Sequence, residues 1–213
     1  MRGVTLALRW TARVLFALLC VAVAAYAFAY LFRDHPPGNR FHQQFMASGW
    51  DVPMHFFGGG VALLLAPLQL GTGVRRIVPR LHRLSGGIYI GAVLIGGLGA
   101  LSMARHSQGP TGLPFAMLAT LWLLTTGLGL RHAIAGRIDL HRRWMARSIA
   151  LTASAVTLRL ILGAGLAMQW PGGAVYTFAA WACWTFNLAV CEVLLRWPEI
   201  RARLRGRLPA LPG

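Results

Sequence analysis

The sequence predicts an all-α integral membrane protein: a six-helix bundle in one transmembrane domain over residues 1–213, with the N-terminus and C-terminus both cytoplasmic. Three observations predict it. Hydrophobic residues make up 56% of the 213 and charged residues only 12%, with a mean hydropathy of +0.57. A soluble domain carries about a quarter charged residues, so apolar surface on this scale must face lipid. Apolar runs of the roughly 20 residues needed to span a bilayer recur six times. The arginines collect in alternate connections, as loops held in the cytoplasm do.

The first segment is residues 11–32. Arg2, Arg9 and Arg13 precede an alanine-rich run that is long for the apolar part of a signal peptide, so the sequence predicts a retained helix. Residues 33–52 follow, with a Pro-Pro break and then Phe41, Phe45 and Trp50 among polar residues. Either a short interfacial helix or a plain connector suits that pattern. The second segment, 53–73, opens on "HFFGGG" and contains Pro67 and Gln69. The glycines permit close helix approach, and Pro67 should kink the helix or free a carbonyl near its inner end. Gln69 is expected to bond to that region or across to another helix.

The third segment is 84–104 and the fourth 113–131. The fifth, 144–168, carries Arg159 inside its apolar part. The sixth, 173–195, contains Glu192 near its cytoplasmic end; 196–213 is a basic tail, of which 201–213 reads as a frayed end beside anionic headgroups. Arginines precede the first segment, lie between the second and third and between the fourth and fifth, and follow the sixth. The other connections hold only Arg33, Arg40 and Arg105. Independent loops thus agree on one orientation.

The net charge of +16 comes from 21 basic residues, all arginine, against 5 acidic ones. They sit between apolar runs rather than on a soluble basic face, which argues against nucleic-acid binding. Cys20, Cys183 and Cys191 fall within apolar runs without zinc spacing, so they read as small buried hydrophobes. No phosphate loop, GxSxG, HExxH or dinucleotide fingerprint occurs.

Ionisable groups inside a membrane are costly and face the bundle interior. His141, Ser148, Thr152 and Arg159 are spaced by seven, four and seven residues, which puts them on one helix face. That stripe suits a water-filled cavity, an anionic ligand or a hydrogen-bond network between helices. Glu192 is placed to pair with Arg142 or Arg147 rather than Arg159. His82 and His141 stand at the cytoplasmic ends of the third and fifth segments. Two facing imidazoles there suit a bis-histidine haem b, with Gly86 making room and Arg83, Arg142 and Arg143 neutralising propionates. Juxtamembrane contacts to headgroups or backbone explain the same histidines without a cofactor. His55 opens the second segment at the outer end, with space or close packing supplied by the glycines after it. His132 could join His82 and His141 as a three-histidine metal cluster.

The stretches "HFFGGGVALLLAPLQL", "RLHRLSGGIYIGAVLIGGLGAL" and "LHRRWMARSIALTASAVTLRL" resemble a bacterial membrane family known as domain of unknown function 2306. The resemblance departs at "APLQ", where a glycine is expected before Pro67. It implies a multi-pass bacterial inner-membrane protein and no reaction. The pattern also resembles cytochromes of the b561 type, six-helix bundles with histidine pairs on helices 2 and 4 and on helices 3 and 5. That resemblance implies His82 and His141 as the cytoplasmic haem ligands and His55 as one member of an outer pair lacking its helix 4 partner.

The expectation is a small b-type cytochrome-like electron-transfer protein. It would sit in the lipid bilayer and exchange electrons with a quinone or redox partner. The alternatives are a transporter or binding protein for a small anionic or lipidic ligand on the fifth segment's polar face, and a structural or assembly protein without cofactor.

Overall fold

The computed structural model describes residues 2–33, 49–71, 77–107 and 109–207, with backbone alone for 2–6, 9 and 202–207. It is all-helical: α1 Arg2–Phe32, α2 Asp51–Leu70, α3 Pro79–Arg105, α4 Gly112–Ile134, α5 Ile138–Thr152, α6 Ser154–Ala167 and α7 Gly172–Arg207. Among the described residues six spans are long and apolar enough to cross a membrane, α5 and α6 together forming the fifth. The expected interfacial segment around Phe41 and Phe45 lies outside the described residues.

The helices outrun the apolar runs that announced them. α1 and α3 begin at Arg2 and Pro79, ahead of the expected 11 and 84. α7 continues through Pro198 to Arg207, into the basic tail from 196 and past the start, at 201, of the stretch expected to fray. Arginine is a good helix former, so a basic turn extends a helix past the hydrophobic boundary. Pro79 suits the first turn of α3, where a backbone N–H has no helical acceptor in any case.

α2 and α3 make the most extensive pair, flanked by α1 on α2 and by α4 on α3; α4 packs on α5, and α6 on α7. The α2–α3 approach is one of backbones. A β-carbon at Gly58 would meet Ala92 O and Gly96 N at 2.5 Å each. Only glycine permits such closeness, the means by which membrane helices gain packing energy without a hydrophobic drive between them.

The fifth span breaks once. Ala153 separates α5 from α6, and Val156 N bonds to Ala153 O over a tight three-residue turn. Beside the break, Ala150 O accepts from Asn187 Nδ2 on α7 at 3.1 Å, and Asn187 Oδ1 accepts from Thr157 Oγ1 at 3.0 Å. With Ser154 Oγ at 3.4 Å, the amide serves a carbonyl at the break that lipid could not satisfy.

The arginine-rich start of α5 and end of α7 share one end of the bundle. There Arg147 holds Glu192 through two bonds, Nε–Oε1 at 2.6 Å and an Nη–Oε2 bond at 3.1 Å, and Arg143 reaches Glu199 at 3.9 Å. These pairs tie the start of α5 to the end of α7.

Candidate functional site in the bundle interior

Two polar systems occupy the interior, and the stripe on the fifth span runs through both. In the middle, Tyr89 on α3 is fully buried. Its hydroxyl bonds to Ser148 Oγ at 2.8 Å and to Thr152 Oγ1 at 2.7 Å. Trp122 Nε1 donates to Thr152 Oγ1 at 2.9 Å, and Thr126 Oγ1 lies 2.6 Å from Ser148 Oγ. Every member is thus satisfied, as buried polar groups must be. Ser148 and Thr152 therefore face α3 and α4, in the interhelical network that was one of the alternatives for the stripe.

Beyond the break, on the half away from the arginine-rich end, lies a cavity of about 190 Å³ bordered by residues of all six spans. Thr152 and Trp122 form its floor on the side of the network. Arg159, His55, Tyr176, Ser107 and Ser154 are its other polar walls, and Leu63, Met103, Phe115 and Leu158 are among its apolar ones. Gly59 also borders it, and nothing stands within 4 Å of where its β-carbon would be, so this glycine leaves space that a side chain would occupy.

Arg159 projects from α6 with two contacts. A terminal guanidinium nitrogen donates to Ala155 O one turn back at 3.0 Å, and its carbon lies 4.9 Å over the Tyr26 ring of α1. Tyr26 is 55% exposed, on the lipid side of α1, so the guanidinium stands between the cavity and that flank. Among the described residues no ion pair includes Arg159; the carboxylates that are paired serve Arg142, Arg143, Arg147 and Arg196. A cation in an apolar interior normally has a counter-ion.

His55 is held differently. The close approach of α2 and α3 brings its Nδ1 to 3.0 Å from Gly96 O. A carbonyl only accepts, so Nδ1 carries the proton, and Nε2 is left without a partner among the described residues on the wall of the cavity.

The residues expected to hold a haem lie at the opposite end. His141 Nδ1 donates to Gly129 O of α4 at 2.8 Å, leaving Nε2 for another partner. Gly86 does not face open space: its β-carbon would stand 3.5 Å from Gln69 Oε1, and the Gln69 amide covers that face while donating to Ser85 Oγ at 2.8 Å. Arg142 reaches Asp139 at 3.3 Å, and Arg143 the more distant Glu199. Among the described residues no three His, Cys, Asp or Glu side chains form a metal-holding group, so His82, His132 and His141 are not brought together as one. Tyr89, Trp122, Thr126, Tyr26 and Tyr176 were not singled out by the sequence; an aromatic hydroxyl inside an apolar run, as at Tyr89, is the signal that would have found the first.

No curated protein and no solved structure matches the chain. Residues 52–195 match a family model from the second span to the sixth, taking in the Tyr89 network and Arg159 and leaving out α1 and the basic end of α7. The chain belongs to the family described as predicted membrane protein (DUF2306), and it is a multi-span membrane protein of that family.

Proposed function

We propose that the protein binds a small organic anion inside the membrane, at Arg159, as a binding protein or carrier. One observation carries this reading: a guanidinium borders a 190 Å³ cavity and takes part in no ion pair among the described residues. An anion entering the cavity supplies the missing charge and gains an arginine in low dielectric, where such a contact is strong. The break between α5 and α6 falls between Thr152 and Arg159, both on the cavity wall. Interrupted spans flank substrate sites in membrane carriers for the same physical reason: irregular backbone is tolerated where it borders a cavity. With the arginine-rich end in the cytoplasm of a bacterial inner membrane, the site lies in the outer half of the bilayer.

The test is equilibrium binding of radiolabelled benzoate and octanoate to the purified protein in mild detergent. Arg159→Leu should weaken binding by about tenfold to a hundredfold, the worth of one charge-assisted hydrogen bond. Arg159→Lys should restore part of it. Equal affinity in wild type and Arg159→Leu, with the variant folded, contradicts the proposal.

A second reading is favoured by the free Nε2 of His141: His82 and His141 as axial ligands of a haem b, which would supply one-electron chemistry between a quinone and a redox partner. Oxidised and dithionite-reduced absorption spectra decide it, since a colourless protein after expression with haem precursor removes it.

A further inference from the structure

We infer that the anion is a hydroxylated aromatic monocarboxylate, with its carboxylate on Arg159 and its hydroxyl on His55. This deepens the anion-binding reading and rests on it. The cavity is about 190 Å³, and a protein cavity of about 150 Å³ suffices for benzene. One substituted ring therefore fits within it.

Thr152, Ser107 and Ser154 on the walls already bond within the protein, whereas Arg159, His55 and the Tyr176 hydroxyl have bonding capacity to spare; Arg159 and His55 are poles of opposite demand, one a donor and one an acceptor. Arg159 on α6 takes the negative end. His55 on α2 offers something else, because its protonated Nδ1 is committed to Gly96 O. The remaining Nε2 lone pair seeks a donor, and no described residue supplies one. A carboxylate cannot satisfy both poles, since it donates nothing. A ligand that carries an acid group and a separate hydroxyl can. Between the poles the surface is apolar and aromatic, with Leu63, Phe115 and Leu158 on it, and Gly59 leaves the wall open where a flat ring can lie. Sites that hydrogen-bond a hydroxyl discriminate strongly against the analogue lacking it, because the protein group is then left unpaired.

The experiment compares benzoate, phenol and the ortho, meta and para isomers of hydroxybenzoate as competitors of radiolabelled benzoate on the wild-type protein, then on His55→Leu and His55→Gln. One hydroxybenzoate isomer should bind about tenfold tighter than benzoate, and phenol should compete weakly. In folded His55→Leu that isomer should lose its advantage over benzoate. Two results overturn the inference: no isomer exceeds benzoate on the wild type, or octanoate outcompetes every hydroxybenzoate. If benzoate still binds in an Arg159-dependent way, that failure belongs to this inference alone. If no carboxylate binds, the anion-binding reading fails with it. The comparison of isomers uses the unaltered protein, so it stands even where a His55 variant does not fold.

Discussion

Replacing Tyr89 with phenylalanine removes one oxygen from the centre of the bundle and leaves the ring in place. Two hydrogen bonds go with it, to Ser148 at 2.8 Å and to Thr152 at 2.7 Å. Neither partner is orphaned. Thr152 Oγ1 keeps Trp122 Nε1 and Ser148 O, and Ser148 Oγ keeps Thr126. The cost is then the bonds themselves, without a desolvation penalty for a stranded group. Interhelical hydrogen bonds in membranes average about 0.6 kcal/mol each, so Tyr89→Phe should cost about 1 kcal/mol. Tyr89→Ala should cost more, about 3–5 kcal/mol, because it also empties the space of a fully buried ring. Unfolding in mixed micelles with rising dodecyl sulfate, followed by tryptophan fluorescence, measures both. Equal losses for Phe and Ala would show that the hydroxyl is the whole interaction and that Tyr89 is not packed. No loss for either would show that α3 and α5 do not meet there.

Other perturbations have distinct outcomes. Gly58→Leu drives a side chain into Ala92 O and Gly96 N, so it should cost about 1–3 kcal/mol and, by moving α2 from α3, detach His55 from Gly96; the unfolding assay and benzoate binding should both register it. Asn187→Leu removes two bonds, to Ala150 O and from Thr157 Oγ1, but leaves Ser154 Oγ on Ala150 O, so it should cost about 1 kcal/mol in the same assay. Glu192→Gln weakens a part-exposed pair, with Arg147 at 19% and Glu192 at 31% exposure, so a loss of no more than about 1 kcal/mol, diminished by salt, is expected.

The six spans were legible because a run of some 20 apolar residues has few physical outcomes. The inward stripe was legible for a similar reason: His141, Ser148, Thr152 and Arg159 share a face whatever that face meets. What it meets was not legible. Tyr89 finds Ser148 only because the glycine contact between α2 and α3 sets where α3 lies against α5. Gly86 read as room for a ring until the register of α2 against α3 laid Gln69 over it. The pairing of Glu192 with Arg147 rather than Arg159 followed from depth in the bilayer, a one-dimensional quantity that a sequence does carry. The Arg159–Tyr26 contact depends on how α1 docks, and nothing in the spacing of either segment encodes that. The break at Ala153 was missed because no Pro or Gly marks it; its stabilising amide, Asn187, comes from another helix.

The central claim is that Arg159, which has no counter-ion among the described residues, takes one from a ligand in its cavity. Ala155 lies one turn before Arg159 on the same wall. Glutamate at that position would reach the guanidinium across the i, i+4 spacing that favours such a pair. The most direct measurement is the unfolding free energy of Ala155→Glu beside that of Ala155→Gln, with benzoate binding on both. The account predicts that the glutamate variant is more stable than the glutamine variant by about 2 kcal/mol and no longer binds benzoate. A glutamate variant that is no more stable, or that binds benzoate as the wild type does, would contradict it.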